Sequence, residues 1–325
     1  MSPTITFLSD GAPSLWTHSF MPLFLLFTFA FGACFGSFTN VLIYRIPMDM
    51  SVVHPPSACP SCHHQIRWYE NIPVLSYLLL KGRCSHCRFS ISAQYPLIEL
   101  AAGSWSVAIA HQWLWPVFSQ PELWVSELHV LLSAAATWLW YSTFVCGLLA
   151  VSLIDLRYTF VPDEISLNLS WLSLGAFFIP MSAPLDHLFG LISGYMVILC
   201  IRWLGYLMYK REAMGLGDAK LLAFIGGFLG WQVLPWILFA AAVQGLIAAM
   251  IALSFTKLTG RGNLLTMTAD ELDQRFGEEL SSSQNGGDQS RVMLVMPFGP
   301  FLCLGAFEVL MISQERLLHY LSLLH

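Results

Sequence analysis

Long apolar stretches separated by short polar segments dominate this sequence. A helix that crosses a bilayer core of about 30 Å needs about 20 apolar residues. Stretches that approach or exceed this length lie at about residues 21–43, 97–115, 130–154, 165–179, 188–208, 221–255 and 295–313. The pattern therefore predicts a bundle of membrane-spanning helices.

The apolar stretch at 221–255 is too long for one crossing and short for two. Gly230 and Pro235 interrupt it, and Lys220 and Lys257 flank it. If both lysines lie on one side of the membrane, the chain must cross twice between them. We predict two short helices here, and hence an all-α polytopic membrane protein with about eight transmembrane helices.

Positive charges indicate how these helices are oriented. When the N-terminus is placed outside, Arg202 and Arg316 are the exceptions among the 15 Lys and Arg residues, and the others fall in predicted inner loops. Inner loops of membrane proteins are enriched in Lys and Arg, so the asymmetry supports this orientation. No basic residue precedes the first apolar stretch, so we interpret that stretch as a retained anchor rather than a cleavable signal peptide.

Composition agrees with a membrane protein and excludes other classes. The chain has 325 residues, of which 56% are hydrophobic and 11% charged. A typical soluble domain has about 25% charged residues, so a soluble enzyme is disfavoured. The net charge is −5 and no long basic run is present, which argues against a nucleic-acid partner.

Four cysteines lie in the predicted inner loop at about 44–96, as Cys59-Pro-Ser-Cys62 and Cys84-Ser-His-Cys87. Two Cys-x-x-Cys pairs at such spacing can offer four thiolates to one tetrahedral zinc ion. Two disulfides or four unligated thiols are the alternatives, and a reducing compartment disfavours the disulfides. Four thiolates leave no open coordination position, so the prediction is a structural zinc ion.

Two carboxylates at the inner ends of apolar stretches are candidates for chemistry. Asp155 ends the third stretch in SLIDLRYTF, and Asp218 begins a later one in MGLGDAKLL. Ionisable groups near membrane spans are costly and are often functional. Two neighbouring carboxylates share one proton, so such a pair supplies a general acid and a general base together.

Other roles for these aspartates stay open on the residues alone. Asp218 is also placed to cap a helix, and Asp155 is also placed to pair with Arg157. Asp163 follows Pro162 at the start of the fourth stretch, where we expect it to act as an N-cap. A proton-coupled transporter, whose intramembrane acids relay protons, and a non-catalytic assembly factor are the rival functions.

An ordered set of motifs gives the chain a recognisable identity. The segments are GSFTN at 36–40, RIP at 45–47, the tetracysteine loop from Ser57, YPLIEL at 95–100, LIDLRYTFVPDEISL at 153–167, MGLGDAKLLAFIGGFLGWQVLP at 214–235 and PFGP at 297–300. In this set the chain resembles the type IV prepilin leader peptidases/N-methyltransferases over nearly its whole length.

The resemblance implies a specific activity and specific residues. Such enzymes of the bacterial inner membrane cleave a basic leader from prepilins or pseudopilins on the cytoplasmic face. The cut follows a glycine and precedes a usually aromatic residue, and the new N-terminus is then methylated with S-adenosylmethionine. The catalytic aspartates of the family match Asp155 and Asp218, and its tetracysteine motif matches Cys59, Cys62, Cys84 and Cys87. A peptidase without methyltransferase activity stays an alternative, because no glycine-rich cofactor motif is present.

The predicted domains follow from these assignments. They are the N-terminal tail and first helix at 1–43, a cytoplasmic zinc-binding loop domain at 44–96 and a transmembrane aspartic peptidase domain at 97–325. An insertion at about 256–296 departs from the family's pattern. Within it, Thr268-Ala-Asp-Glu271 is a capping-box pattern that predicts a short helix through Leu280, followed by a flexible linker.

Overall fold

The computed structural model of this chain is built mainly from helices, as the apolar stretches predict. It describes residues 15–119, 128–178, 184–210, 214–259, 266–267, 293–294 and 297–312. The helices are α1 Leu15–Arg45, α2 Leu75–Leu79, α3 Gln94–Ile109, α4 Trp115–Phe118, α5 Leu128–Tyr158, α6 Asp163–Ser173, α7 Pro184–Tyr209, α8 Leu216–Leu229, α9 Leu234–Thr259 and α10 Gly299–Met311. Short helical turns lie at Ile46–Met48, Trp68–Glu70, Ala110–Leu114 and Leu174–Phe178.

Two very short strands are the exception to the helical architecture of the described residues. β1, Thr266–Met267, pairs antiparallel with β2, Met293–Leu294. Both strands fall within the predicted insertion at 256–296. The helix expected from Thr268 to Leu280 lies outside the described residues.

Four helical segments are long and apolar enough to cross a membrane among the residues described. They are Phe20–Met48, Leu128–Tyr158, Pro184–Met208 and Leu234–Ser254. The shorter apolar helix Gly299–Met311 follows. Each of the other predicted stretches also contains a helix.

The predicted break in the stretch at 221–255 is present. α8 ends at Leu229, and α9 begins at Leu234. Between them Gly230 has φ +88°, a conformation that residues with a Cβ rarely adopt. The glycine therefore ends one helix and lets the chain turn before the next.

The chain divides into two compact units. The first runs through Ala150 with a short piece at 177–182, and the second consists of 151–176 and the residues from 183 onward. In the first unit α1 packs along α3 where Gly36 faces the backbone of Glu99. A Cβ at Gly36 would lie 2.8 Å from the Glu99 Cα, so the two helices need glycine for this close approach.

Among the described helices of the second unit, α7 and α8 pack together most extensively. Gly190 and Gly226 face each other there, and a Cβ on either would collide with the carbonyl of the other. α6 packs on the same helix α8, and α10 packs on α8 and α9. α8 is therefore the central helix of this unit, with Leu221 to Gly230 all buried.

Candidate active site and metal centre

Asp155 lies in the last turn of α5 and is buried. The helix ends just beyond it, because Thr159 adopts a left-handed conformation with φ +56°. The Thr159 N–H donates to the Asp155 carbonyl at 2.8 Å, which closes the last turn. The end of the helix thus fixes the position from which the Asp155 side chain projects.

Asp218 lies in the first turn of α8, three residues after the N-cap Gly215. Its carboxylate interacts with the Gly215 backbone. Gly217 packs on Val161, and a Cβ added there would lie 3.1 Å from the Val161 Cβ. Gly217 therefore allows the segment before α6 to lie close to the start of α8.

Asp155 and Asp218 line one cavity of about 730 Å³ in the second unit. The charge of Asp218 acts on Asp155, and the Gly299 backbone interacts with the Asp155 carboxylate. The other residues of the lining are Thr159, Phe160, Val161, Asp163, Met214, Gly215, Gly217, Lys220, Pro297 and Phe298. Helix packing brings together the two aspartates that the sequence separates widely. Two carboxylates on one cavity can hold a water and exchange protons with it.

Gly299 at the start of α10 closes over Asp155. A Cβ at this position would collide with Asp155 Oδ2. The PFGP motif at 297–300 therefore places a backbone without a side chain against the carboxylate. The family motif contains this glycine, but the sequence gives no local sign of its contact with Asp155, which lies far away in the chain.

A bidentate ion pair occupies the same cavity lining. Lys220 Nζ donates to Asp163 Oδ1 at 2.6 Å and to Asp163 Oδ2 at 2.7 Å. The expectation that Asp163 acts as the N-cap of its helix is wrong. Pro162 holds the cap position without a side-chain bond, and Asp163 is the first helical residue. Its carboxylate turns to Lys220 because that cation packs beside it on α8.

The four predicted cysteines of the first unit come together. Their Sγ atoms all lie within 4.8 Å of one another. Cys59 Sγ is 3.8 Å from Cys87 Sγ, and Cys62 Sγ is 4.0 Å from Cys84 Sγ. A tetrahedral zinc ion with Zn–S bonds of about 2.3 Å requires sulfurs about 3.8 Å apart. The cluster has the donor atoms and spacing to hold a metal ion, and none of its sulfurs is in a disulfide.

The first cysteine pair folds as a tight turn. The Cys59 N–H donates to the His64 carbonyl at 2.9 Å, and the His63 N–H donates back to the Cys59 carbonyl at 2.9 Å. His63 takes a left-handed conformation with φ +56°, which reverses the chain just after Cys62. The turn therefore directs both sulfurs to the same side.

The second pair repeats this turn. The Cys84 N–H donates to the Phe89 carbonyl at 2.9 Å, and the Arg88 N–H donates to the Cys84 carbonyl at 3.1 Å. Arg88, with φ +61°, corresponds to His63. The two turns are thus equivalent, and each contributes two sulfurs to the cluster.

In each turn the backbone stabilises the thiolate of the first cysteine. Hydrogen bonds from the backbone of Cys62 and Ser61 lower the pKa of Cys59 to about 7. The backbone of Cys87 and His86 likewise lowers the pKa of Cys84. At Cys62 the hydrogen bond from the His64 backbone lowers the pKa, but burial and the neighbouring thiols outweigh it and raise the pKa to about 11. Because a metal ion binds the thiolate, the backbone favours ligation at Cys59 and Cys84 in particular.

Sequence comparisons match both regions. The Bacterial Peptidase A24 N-terminal domain matches residues 30–113, which include the cysteine cluster. The Type IV leader peptidase family matches residues 142–250, which include Asp155 and Asp218. No solved structure matches the chain.

Several curated relatives share one name, prepilin leader peptidase/N-methyltransferase. The protein of Myxococcus xanthus is 37% identical over 75% of this chain and 69% of its own length. That of Burkholderia pseudomallei is 33% identical over 88% of this chain and 84% of its own. That of Pseudomonas aeruginosa is 37% identical over 71% and 81% respectively. The similarity therefore extends through both units.

Proposed function

This chain belongs to the prepilin leader peptidase/N-methyltransferase family, and from that premise we propose that it removes the leader from type IV prepilins or pseudopilins and methylates the new N-terminus. The observation that carries the peptidase half is the cavity of the second unit, on which carboxylates from α5 and α8 converge. We assign Asp155 and Asp218 as its catalytic pair.

The proposed hydrolysis uses both carboxyl groups in one cycle. A water molecule held between them attacks the carbonyl carbon of the scissile peptide bond while the ionised carboxylate accepts its proton. The protonated carboxyl group then donates its proton to the amide nitrogen as the carbon–nitrogen bond breaks. The products are a carboxylate on the leader and a free amine on the shortened pilin.

The features of the substrate follow from the surroundings of the cavity and from the family. A peptide must approach the aspartates in an extended form, and Gly215, which borders the cavity, leaves room for its backbone. The substrate we propose has a basic leader, a glycine before the cut and an apolar helix beside the enzyme in the bilayer. The leader junction would then reach the cavity at the membrane surface.

The methyltransferase half of the proposal depends on the relatives, which carry both activities in their names. S-adenosylmethionine, when bound, would supply the methyl group that the new N-terminal amine receives. We propose the loop of the first unit, the predicted domain at 44–96, as the host of this step because it is the largest polar region of that unit.

A structural zinc ion is the metal we propose for Cys59, Cys62, Cys84 and Cys87. The four-sulfur donor set and the spacing of the sulfurs support it. Zinc bound by four thiolates has no open position for a substrate, so its role is to hold the two turns together.

For the membrane arrangement we propose eight crossings in the bacterial inner membrane. The helices that coincide with the predicted stretches support this number, and the Lys and Arg distribution supports a periplasmic N-terminus. The cysteine loop and the aspartate cavity would then face the cytoplasm, where prepilins are made.

The experiment combines both activities. Purified protein in detergent is given a synthetic prepilin and isotope-labelled S-adenosylmethionine, and mass spectrometry follows both products. A shortened, methylated pilin is expected. Cleavage without transfer of the labelled methyl group would contradict the proposed methyltransferase activity. An intact prepilin after incubation with folded protein would contradict the proposed peptidase activity and favour a transport role.

A further inference from the structure

The cavity lined by Asp155 and Asp218 also contains a third carboxylate and an ammonium group. Asp163 comes from α6 and Lys220 from α8, and the two are joined through both Asp163 oxygens at 2.6 and 2.7 Å. Lys220 is the only cation among the described residues of this lining. The position of that ammonium group therefore decides which carboxylate it neutralises.

Lys220 and Asp163 occupy different positions on their helices. Lys220 is the fifth residue of α8, just beyond the first turn, where the helix dipole acts only weakly. Asp163, by contrast, is the first residue of α6, where a negative charge is favoured. The ion pair therefore joins the first residue of α6 to the second turn of α8.

Lys220 is also only two residues after Asp218. Side chains two residues apart on a helix project to different sides, but the lysine side chain is long and borders the same cavity as Asp155 and Asp218. An ammonium released from Asp163 can therefore turn toward these two acids across the cavity. A cation beside a carboxyl group favours the ionised form. The acid–base pair, however, needs one of its two carboxyl groups to keep a proton.

We propose that Asp163 is a positioning residue that binds Lys220 and keeps its ammonium group away from the Asp155–Asp218 pair, so that the pair retains its shared proton. This inference rests on the proposed peptidase function. It assigns Asp163 an action through Lys220 rather than contact with the substrate.

The other ionisable groups around the pair come from different helices. Cys303 of α10 is buried and interacts with both Asp155 and Asp218. Arg202 of α7 donates to the Met214 carbonyl at 3.3 Å, and Met214 borders the cavity. Neither residue changes in the variants below, so changes in the pH profile report on Asp163 and Lys220.

A double-mutant cycle tests the proposal, with prepilin cleavage followed by mass spectrometry at equal amounts of folded protein. Asp163→Asn should lower kcat/KM by about tenfold or more, since the freed ammonium opposes the shared proton. Lys220→Met should lower it by about threefold at most, because Asp163 is half-exposed and stays hydrated without its partner. Asp163→Asn combined with Lys220→Met should recover to within about threefold of the wild type.

Two further measurements separate this role from a simple clamp between α6 and α8. If the pair only held the helices together, Lys220→Met would lose as much activity as Asp163→Asn, and the double variant would not recover. In Asp163→Asn the alkaline side of the cleavage profile should also move to lower pH, since the general acid loses its proton earlier. Asp163→Glu keeps the carboxylate and should restore activity and profile together.

The controls distinguish the possible failures. Wild type without cleavage would contradict the proposed function itself. Wild-type cleavage that Asp218→Asn abolishes but Asp163→Asn leaves unchanged would overturn this inference alone. If Asp163→Asn is poorly folded, Asp163→Ala with and without Lys220→Met repeats the test, and absence of recovery in that pair overturns the proposal as well.

Discussion

The cysteine cluster and the aspartate cavity are assembled in opposite ways. In the cluster each pair of ligands lies within one turn, and backbone hydrogen bonds such as that from Cys59 to His64 position the sulfurs. In the cavity Asp155 and Asp218 come from α5 and α8, and each is held by the end of its helix. One site therefore depends on local turns and the other on how helices pack.

The difference determines which changes each region tolerates. A turn tolerates changes in distant helices, because its hydrogen bonds lie within a few residues. The cavity depends on contacts such as Gly299 against Asp155, where one added methyl group would collide with the carboxylate. A substitution in a cysteine turn should therefore affect the metal site and spare the cavity. A substitution at a helix contact of the cavity should have the opposite effect.

The largest effect is expected from the aspartates. Asp155→Asn and Asp218→Asn should each lower prepilin cleavage by about 10³-fold or more, because an amide cannot exchange the proton. Mass spectrometry of the shortened pilin measures the loss. Both variants should keep a full complement of metal, since the cysteines belong to the first unit and both aspartates to the second.

Asp186→Asn is the matched control for these variants. Asp186 is an acid of the same unit, at the start of α7, and it accepts a hydrogen bond from the Trp231 indole at 3.2 Å. It does not line the cavity. Wild-type cleavage by Asp186→Asn is expected, and equal losses in all three variants would show that the assay reports folding rather than chemistry.

A smaller loss is expected from Gly299→Ala. The added methyl group must displace Asp155 Oδ2, and a displacement of about 1 Å at a catalytic group costs up to about 100-fold in rate. Gly245→Ala on α9 is the control, since a Cβ there lies 3.7 Å from Phe301, an ordinary contact. Comparable cleavage rates for the two alanine variants would argue that Asp155 does not need this close approach.

The helices and the cysteine cluster could be predicted because their signals are local. Each apolar stretch contains a helix, and Gly230 marks the predicted break after α8. The spacing of Cys59 and Cys62, repeated at Cys84 and Cys87, is itself the geometry of a turn. The four sulfurs accordingly meet as predicted.

The contacts between residues that line the cavity could not be predicted in the same way, because the packing of separate helices determines them. Asp163 follows a proline as an N-cap often does, yet its carboxylate binds Lys220 on another helix. The sequence shows only that a cation lies two residues after Asp218, which does not identify its partner. Gly299 similarly gave no local sign that it would pack on Asp155.

Loss of the metal should follow from changes in the cysteine turns alone. Cys59→Ser together with Cys84→Ser removes one ligand from each turn and should reduce bound zinc from about one ion per chain to a trace. Elemental analysis of the purified protein measures it. Cys34→Ser, on α1 and outside the cluster, should keep the full metal content. Retained zinc in the double variant would place the metal elsewhere.

The smallest expected effect is the pH dependence of metal retention, and its sign follows from the thiols. Hydrogen bonds from the backbone of Cys62 and Ser61 lower the pKa of Cys59 from 9.0 to about 7 in the folded loop. The stabilisation of this thiolate is therefore fully present above about pH 9 and is lost as the pH falls through about 7. Protons then compete with the metal for the sulfurs, so a chelator should remove zinc slowly at about pH 8 and faster as the pH falls.

The helices of the second unit contribute no ligand to the metal, so circular dichroism should show the helical content unchanged over that range. Zinc release at a constant rate from about pH 8 to about pH 5 would contradict ligation by these thiolates.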